Sequence, residues 1–98
     1  MDYDAAVALW MLAALQNYDR AQGDLGSMFH NAENSEEALR WFKLAAAQGQ
    51  GRALYMIGVF YENGYGVVAD QAEAVRWYKH AAAAGWSDSV EALKLLGV

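Results

Sequence analysis

Apolar and polar positions along the chain fall into blocks that recur. Residues 21–31, AQGDLGSMFHN, lie over residues 53–63, ALYMIGVFYEN. Ala21 matches Ala53, Leu25-Gly26 matches Ile57-Gly58, Phe29 matches Tyr61 and Asn31 matches Asn63. A second pattern follows each block. Residues 38–49 carry Arg40-Trp41-Phe42-Lys43, and residues 74–85 carry Arg76-Trp77-Tyr78-Lys79. Both end in an alanine run and a glycine, Gly49 and Gly85. The offset between copies is shorter for the first pattern than for the second. The second copy holds the loop GYGVVADQAE where the first has the shorter link AENSEE. That is how an insertion in a turn between matched helices reads. Self-similarity at this period marks a helical repeat.

Helix signals divide the chain in the same way. Asp19 with Gln22, Asn34 with Glu37, Asp70 with Glu73 and Asp88 with Glu91 have capping-box spacing, so each first side chain can accept from an otherwise orphan amide. Gly49 and Gly85 stand where a helix end turns left-handed. The expected helices cover 4–16, 20–31, 35–48, 52–63, 71–84 and 88–96. The ends are half-copies. Residues 6–16 align with the second pattern, with Trp10 at the Phe42 and Tyr78 position. Residues 92–97, ALKLLG, align with the start of the first. The expectation is one all-α domain over 1–98: a half-repeat 1–18, repeats 19–50 and 51–86, and a closing helix 87–98.

Composition narrows the chemistry. The 98 residues suffice for one domain. Hydrophobic residues make up 56% and alanine dominates them, which favours helix over strand. Proline is absent, so no helix is forced to break. Without cysteine there are no disulfides, zinc thiolates or cysteine nucleophiles. A net charge of -5 repels nucleic acid and anionic membranes, and is easier to reconcile with a basic or mixed-charge protein surface. The apolar run Ala5 to Leu15 is too short to span a bilayer. It follows Asp2 and Asp4 instead of basic residues, so it reads as a covered helix and not as a signal peptide. The lack of a visible sorting signal points to the cytoplasm, although a piece of a longer exported protein fits the same residues.

The second copy resembles the Sel-one-like repeat, a relative of the tetratricopeptide repeat. It reads Ala53, Ile57-Gly58, Tyr61, Asn63-Gly64-Tyr65-Gly66-Val67, Asp70, Ala74, Trp77-Tyr78, Ala81-Ala82 and Gly85. The first copy lacks the Asn-Gly-x-Gly-Val loop, and position 68 is valine where the family often has proline. The resemblance implies an alpha-alpha superhelix, a short solenoid of about six helices in antiparallel pairs. Gly26 and Gly58 would then let paired helices approach closely, opposite Ala38, Ala45, Ala74 and Ala81. Trp41, Phe42, Trp77 and Tyr78 would fill the remaining volume, and stacked pairs would share one core.

No constellation in the sequence reads as an active site or metal centre. Asp24, Ser27 and His30 follow at spacings of three. The serine stands in the middle, where a triad needs its base, so an exposed polar stripe is the simpler reading. His80 has no acidic neighbour in sequence, and no metal-ligand pair of histidines exists. The Gly64-x-Gly66 pair follows no strand and precedes no lysine, so it is no phosphate cradle. No cofactor is expected. Trp86 falls outside the repeat register and has two readings, a cap on the last pair or an exposed binding ring.

The resemblance places binding on the concave face, lined by the first helix of each pair. In the first copy those residues are Arg20, Gly23, Ser27, His30 and Asn31. In the second they are Arg52, Tyr55, Val59, Glu62 and Asn63, with Glu91 and Lys94 added by the closing helix. Arginine and tyrosine often dominate interface energy, and an asparagine amide can both donate to and accept from a peptide backbone. Asn31 and Asn63 equally suit helix termination. The leading function is a module that binds a protein or peptide segment. The alternative is self-association through apolar terminal helices, with Leu9, Trp10, Leu12, Leu93 and Leu96 as candidates. A hydrolase-type enzyme is the remote third.

Overall fold

The computed structural model describes the backbone of residues 19–31 and 34–98 and the side chains of 22–30 and 34–98. The expected helix 4–16, with Leu9, Trp10 and Leu12, lies outside these residues, as do the side chains of Arg20 and Asn31. The described chain is all-α. Its helices are α1 (Asp19–Asn31), α2 (Ser35–Ala47), α3 (Gly51–Asn63), α4 (Gln71–Ala83) and α5 (Ser87–Leu95). Their ends fall within one residue of those expected.

Local chemistry sets the boundaries. Asn34 Oδ1 accepts from the Glu37 amide at 3.4 Å and Asp70 Oδ1 from the Glu73 amide at 3.1 Å. Each satisfies a donor the helix start would leave unpaired. The expected Asp88 cap does not form. Trp86 is the N-cap of α5 and makes no side-chain cap bond, and Asp88 lies inside the first turn. The reason is packing: Trp86 lies against Gly51, where an added Cβ would stand 3.2 Å from the Trp86 Cβ. This fixes where α5 begins and gives Trp86 its half-buried place.

Helix endings repeat. Gly49 and Gly85 take φ of 83° and 91°. Gly49 N donates to Ala46 O at 2.9 Å and Gln50 N to Ala45 O at 3.3 Å. Gly85 to Ala82 and Trp86 to Ala81 repeat the pattern, each at 3.0 Å. These paired bonds satisfy the last carbonyls and need a left-handed residue between them.

Short links fold consecutive helices back on one another, with α1 on α2 and α3 on α4 packed most closely. Gly26 and Gly58 are what allow it. A Cβ on Gly26 would stand 2.8 Å from the Phe42 ring, and one on Gly58 would stand 2.5 Å from the Tyr78 ring. The core runs through α2 and α3 as Ala38, Leu39, Phe42, Ala45, Ala53, Ile57 and Phe60. Phe42 meets Phe60 edge-on, with ring centroids 5.6 Å apart. Trp41 and Trp77 are only half-buried, and Trp77 packs against this core.

The closing helix departs from the expected register. Aligning residues 92–97 with the start of the first pattern gave Ala92 the small-residue position. The fully buried residue is Ser89. Ser89 stands as far past Gly85 as Ala53 stands past Gly49, so the link and not the alanine sets the register.

Candidate functional site

Helices α1 and α3 open the two described pairs, and α5 follows the second. Between α3 and α5 lies a groove of about 370 Å³. Tyr55, Val59, Glu62 and Asn63 form one wall; Asp88, Glu91, Ala92, Leu95 and Leu96 form the other. Spacings of three and four put each set on one face of its helix. Tyr78 from α4 forms the floor.

The floor and one wall are tied together. The Tyr78 ring is 2% exposed, held over Gly58. Its hydroxyl donates to Glu62 Oε1 at 2.7 Å. The Tyr55 ring lies beside it, with centroids 5.6 Å apart and planes tilted by 35°. Burial first, then the bond and charge of Glu62, push the Tyr78 hydroxyl far above its usual pKa. Burial, then the charges of Asp88 and Glu62, also raise that of Tyr55. Both shifts come first from burial and then from carboxylates near the phenol oxygens, where ionisation would bring further negative charge.

This has a pH consequence. Both phenols hold their protons more firmly folded than unfolded. Their stabilising contribution is therefore fully present below the unfolded phenol pKa of about 10 and is lost as pH rises beyond it. Thermal melts are expected to show the midpoint falling above pH of about 10, with a shallower fall in Tyr78→Phe. Equal slopes for the two proteins would rule out this coupling.

Among the described residues no basic side chain lines the groove. Among the described residues no cation pairs with Glu62 or Asp88. Glu91 sits 3.6 Å from Lys94 Nζ, both well exposed. No group of three or more histidine or acidic side chains is placed to hold a metal ion among the described residues.

The structure gathers Tyr55, Val59, Glu62, Asn63, Glu91 and Leu96 from the residues expected by sequence. It places others elsewhere. Arg52 turns toward α1, where its guanidinium meets Asp24 Oδ1 at 3.3 Å. Ser27 and His30 belong to α1. His30 is half-buried against Phe60 and Tyr65, with ring centroids at 4.8 and 5.4 Å. With Asp24 paired across the repeat, Asp24, Ser27 and His30 are not an exposed polar stripe. Asn63 donates to its own helix, Nδ2 to Val59 O at 2.9 Å, so it serves as a terminator at the groove edge. Leu93 and Leu96 are half-buried, whereas Leu95 is 88% exposed. Asp88, Ala92 and Tyr78 were missed as groove residues. The i, i+3, i+4 spacing of Asp88, Glu91, Ala92 and Leu95 was the signal available.

A second depression, about 300 Å³, lies between α3 and α4 and is lined by Leu54, Glu73, Arg76, Trp77 and His80. Its arginine is already held by Glu73 at 3.2 Å. His80 is exposed, in the position Leu44 holds in the first copy.

The model of the Sel1 repeat matches residues 19–50 and again 51–86. The chain belongs to the Sel1 repeat family. Two solved structures carry the likeness through three dimensions. A Sel1 repeat protein from Oxalobacter formigenes superposes with a TM-score of 0.88 at 28% identity, over 96% of this chain and 40% of that one. A protective antigen of SLR fold present in uropathogenic Escherichia coli strains gives 0.83 at 38% identity, over 90% and 20%. This Sel1 chain thus spans less than half the length of either. No curated protein matches it. The Sel1 fold is a helical-repeat superhelix, generally a scaffold for protein interaction and typically non-catalytic.

Proposed function

We propose that the chain is an interaction module that holds a segment of a partner protein in the groove between α3 and α5. The observation that supports this is convergence. Val59, Ala92, Leu95 and Leu96 supply apolar surface beside Tyr55 and the carboxylates of Glu62, Asp88 and Glu91. Binding sites combine apolar walls with a few placed polar groups in this way. Among the described residues no helix is long and apolar enough to cross a membrane.

A direct test fills the groove. Peptides selected on the wild type from a random display library are titrated against Val59→Arg and Ala92→Arg. Affinity is expected to fall at least about tenfold in both, because an apolar wall becomes a protruding charge. Unchanged affinity in two folded variants would show that the segment sits elsewhere.

A second reading is pairing of two copies. Val90, Leu95 and Val98 of the closing segment are 41%, 88% and 59% exposed. Light scattering over a concentration series, on the wild type and Leu95→Glu, decides it. A dimer that the variant dissociates supports pairing, and a monomer at every concentration removes it.

A further inference from the structure

We infer that the segment held in the groove is cationic, carrying a lysine or arginine beside an aliphatic residue. The inference rests on the groove reading above and names its ligand chemistry. The charge of the walls calls for a cation. Glu62, Asp88 and Glu91 line one groove, and among the described residues no basic side chain joins its walls. Among the described residues only Glu91 is paired with a cation, Lys94, 3.6 Å away with both side chains well exposed. Carboxylates gathered without counter-charge favour a cation between them and repel an acidic segment.

The acceptor is fixed before any ligand arrives. The Tyr78 hydroxyl holds Glu62 at 2.7 Å and is itself locked by its ring over Gly58. An acceptor already ordered costs less to engage. Beside it the Tyr55 ring, half-buried, lies within the influence of both Asp88 and Glu62. A lysine or arginine stem can lie along such a ring while its charged end meets the carboxylates. The neighbouring surface is apolar. Leu95, 88% exposed, sits at the groove edge with Val59 and Ala92, where an aliphatic side chain next to the cation would be covered.

The test uses fluorescein-labelled peptides that alternate leucine with lysine, with serine or with glutamate. Anisotropy is read at low and high salt. The lysine peptide is expected to bind best and to weaken severalfold as salt screens the carboxylates. Glu62→Gln with Asp88→Asn is expected to cost it roughly fivefold or more. Glu36→Gln with Glu73→Gln makes the same change in net charge away from the groove, and is expected to cost little. Circular dichroism melts confirm that each variant is folded. Equal losses in both double variants, or a glutamate peptide that binds as well as the lysine one, overturn the inference. If Val59→Arg removes binding of the serine peptide while charge neutralisation changes nothing, the groove reading stands and the cationic one falls. If Val59→Arg leaves the lysine peptide bound and the two double variants weaken it equally, the peptide lies outside the groove and the groove reading falls with the cationic one. Failure of all three peptides to bind overturns both.

Discussion

Phe42→Ala is expected to lower the unfolding free energy by about 3–5 kcal/mol, a large part of the roughly 5–15 kcal/mol of a domain this size. Phe42 is fully buried, edge-on to Phe60 and packed with Ala38, Leu39, Ala45 and Ile57. Removing the ring deletes apolar contacts from both the first pair and the core it shares with α3. The void cannot easily close, because the surface opposite is Gly26, which has no side chain to move into it. Urea unfolding measures the effect, with an unchanged slope showing that the native fold persists. A loss below about 1.5 kcal/mol would mean that the pair collapses around the gap.

Gly58→Ala should destabilise by about 2 kcal/mol, against the sign of helix propensity. In an exposed helix interior this change is worth up to about 1 kcal/mol in favour of the alanine. Here the new Cβ would lie 2.5 Å from Tyr78 Cε1 and 2.6 Å from Cδ1. The ring must retreat, which costs about 1–3 kcal/mol of overpacking. Its retreat also pulls the hydroxyl from Glu62, at about 1 kcal/mol more. Combining Gly58→Ala with Tyr78→Ala removes the clash, so the two changes should cost less together than their separate losses summed. A Gly58→Ala protein more stable than the wild type would contradict the close approach.

The close helix approach at Gly26 and Gly58 was legible because both glycines recur in register, but the residues facing them were not: alanines were expected there, and the Phe42 and Tyr78 rings occupy the place. The left-handed ends at Gly49 and Gly85 were legible because they depend only on neighbouring residues. Features that depend on the stacking of one pair upon the next were not. Arg52 stands on the face assigned to binding, yet the Asp24 carboxylate across the repeat draws it toward α1. His30 lies on the same face and is claimed by Phe60 and Tyr65, rings brought to it by α3 and the following loop. Asp88 has capping spacing, but the seat of Trp86 on Gly51 starts the helix before it. The groove itself was half visible. Tyr55, Val59 and Glu62 share a face by periodicity alone, while the facing wall needs the spacing of α3 and α5, which no local pattern encodes.

The Gly66 backbone passes so near α2 that a Cβ there would stand 2.9 Å from the Glu36 amide nitrogen and the Ser35 carbonyl carbon. The longer loop of the second copy therefore leans on the start of a helix in the first. In a linear array, cooperativity arises from coupling between adjacent units. This contact adds a coupling that bypasses the helix faces. Shortening the loop would leave each pair intact yet let hydrogen exchange separate them into independently opening units.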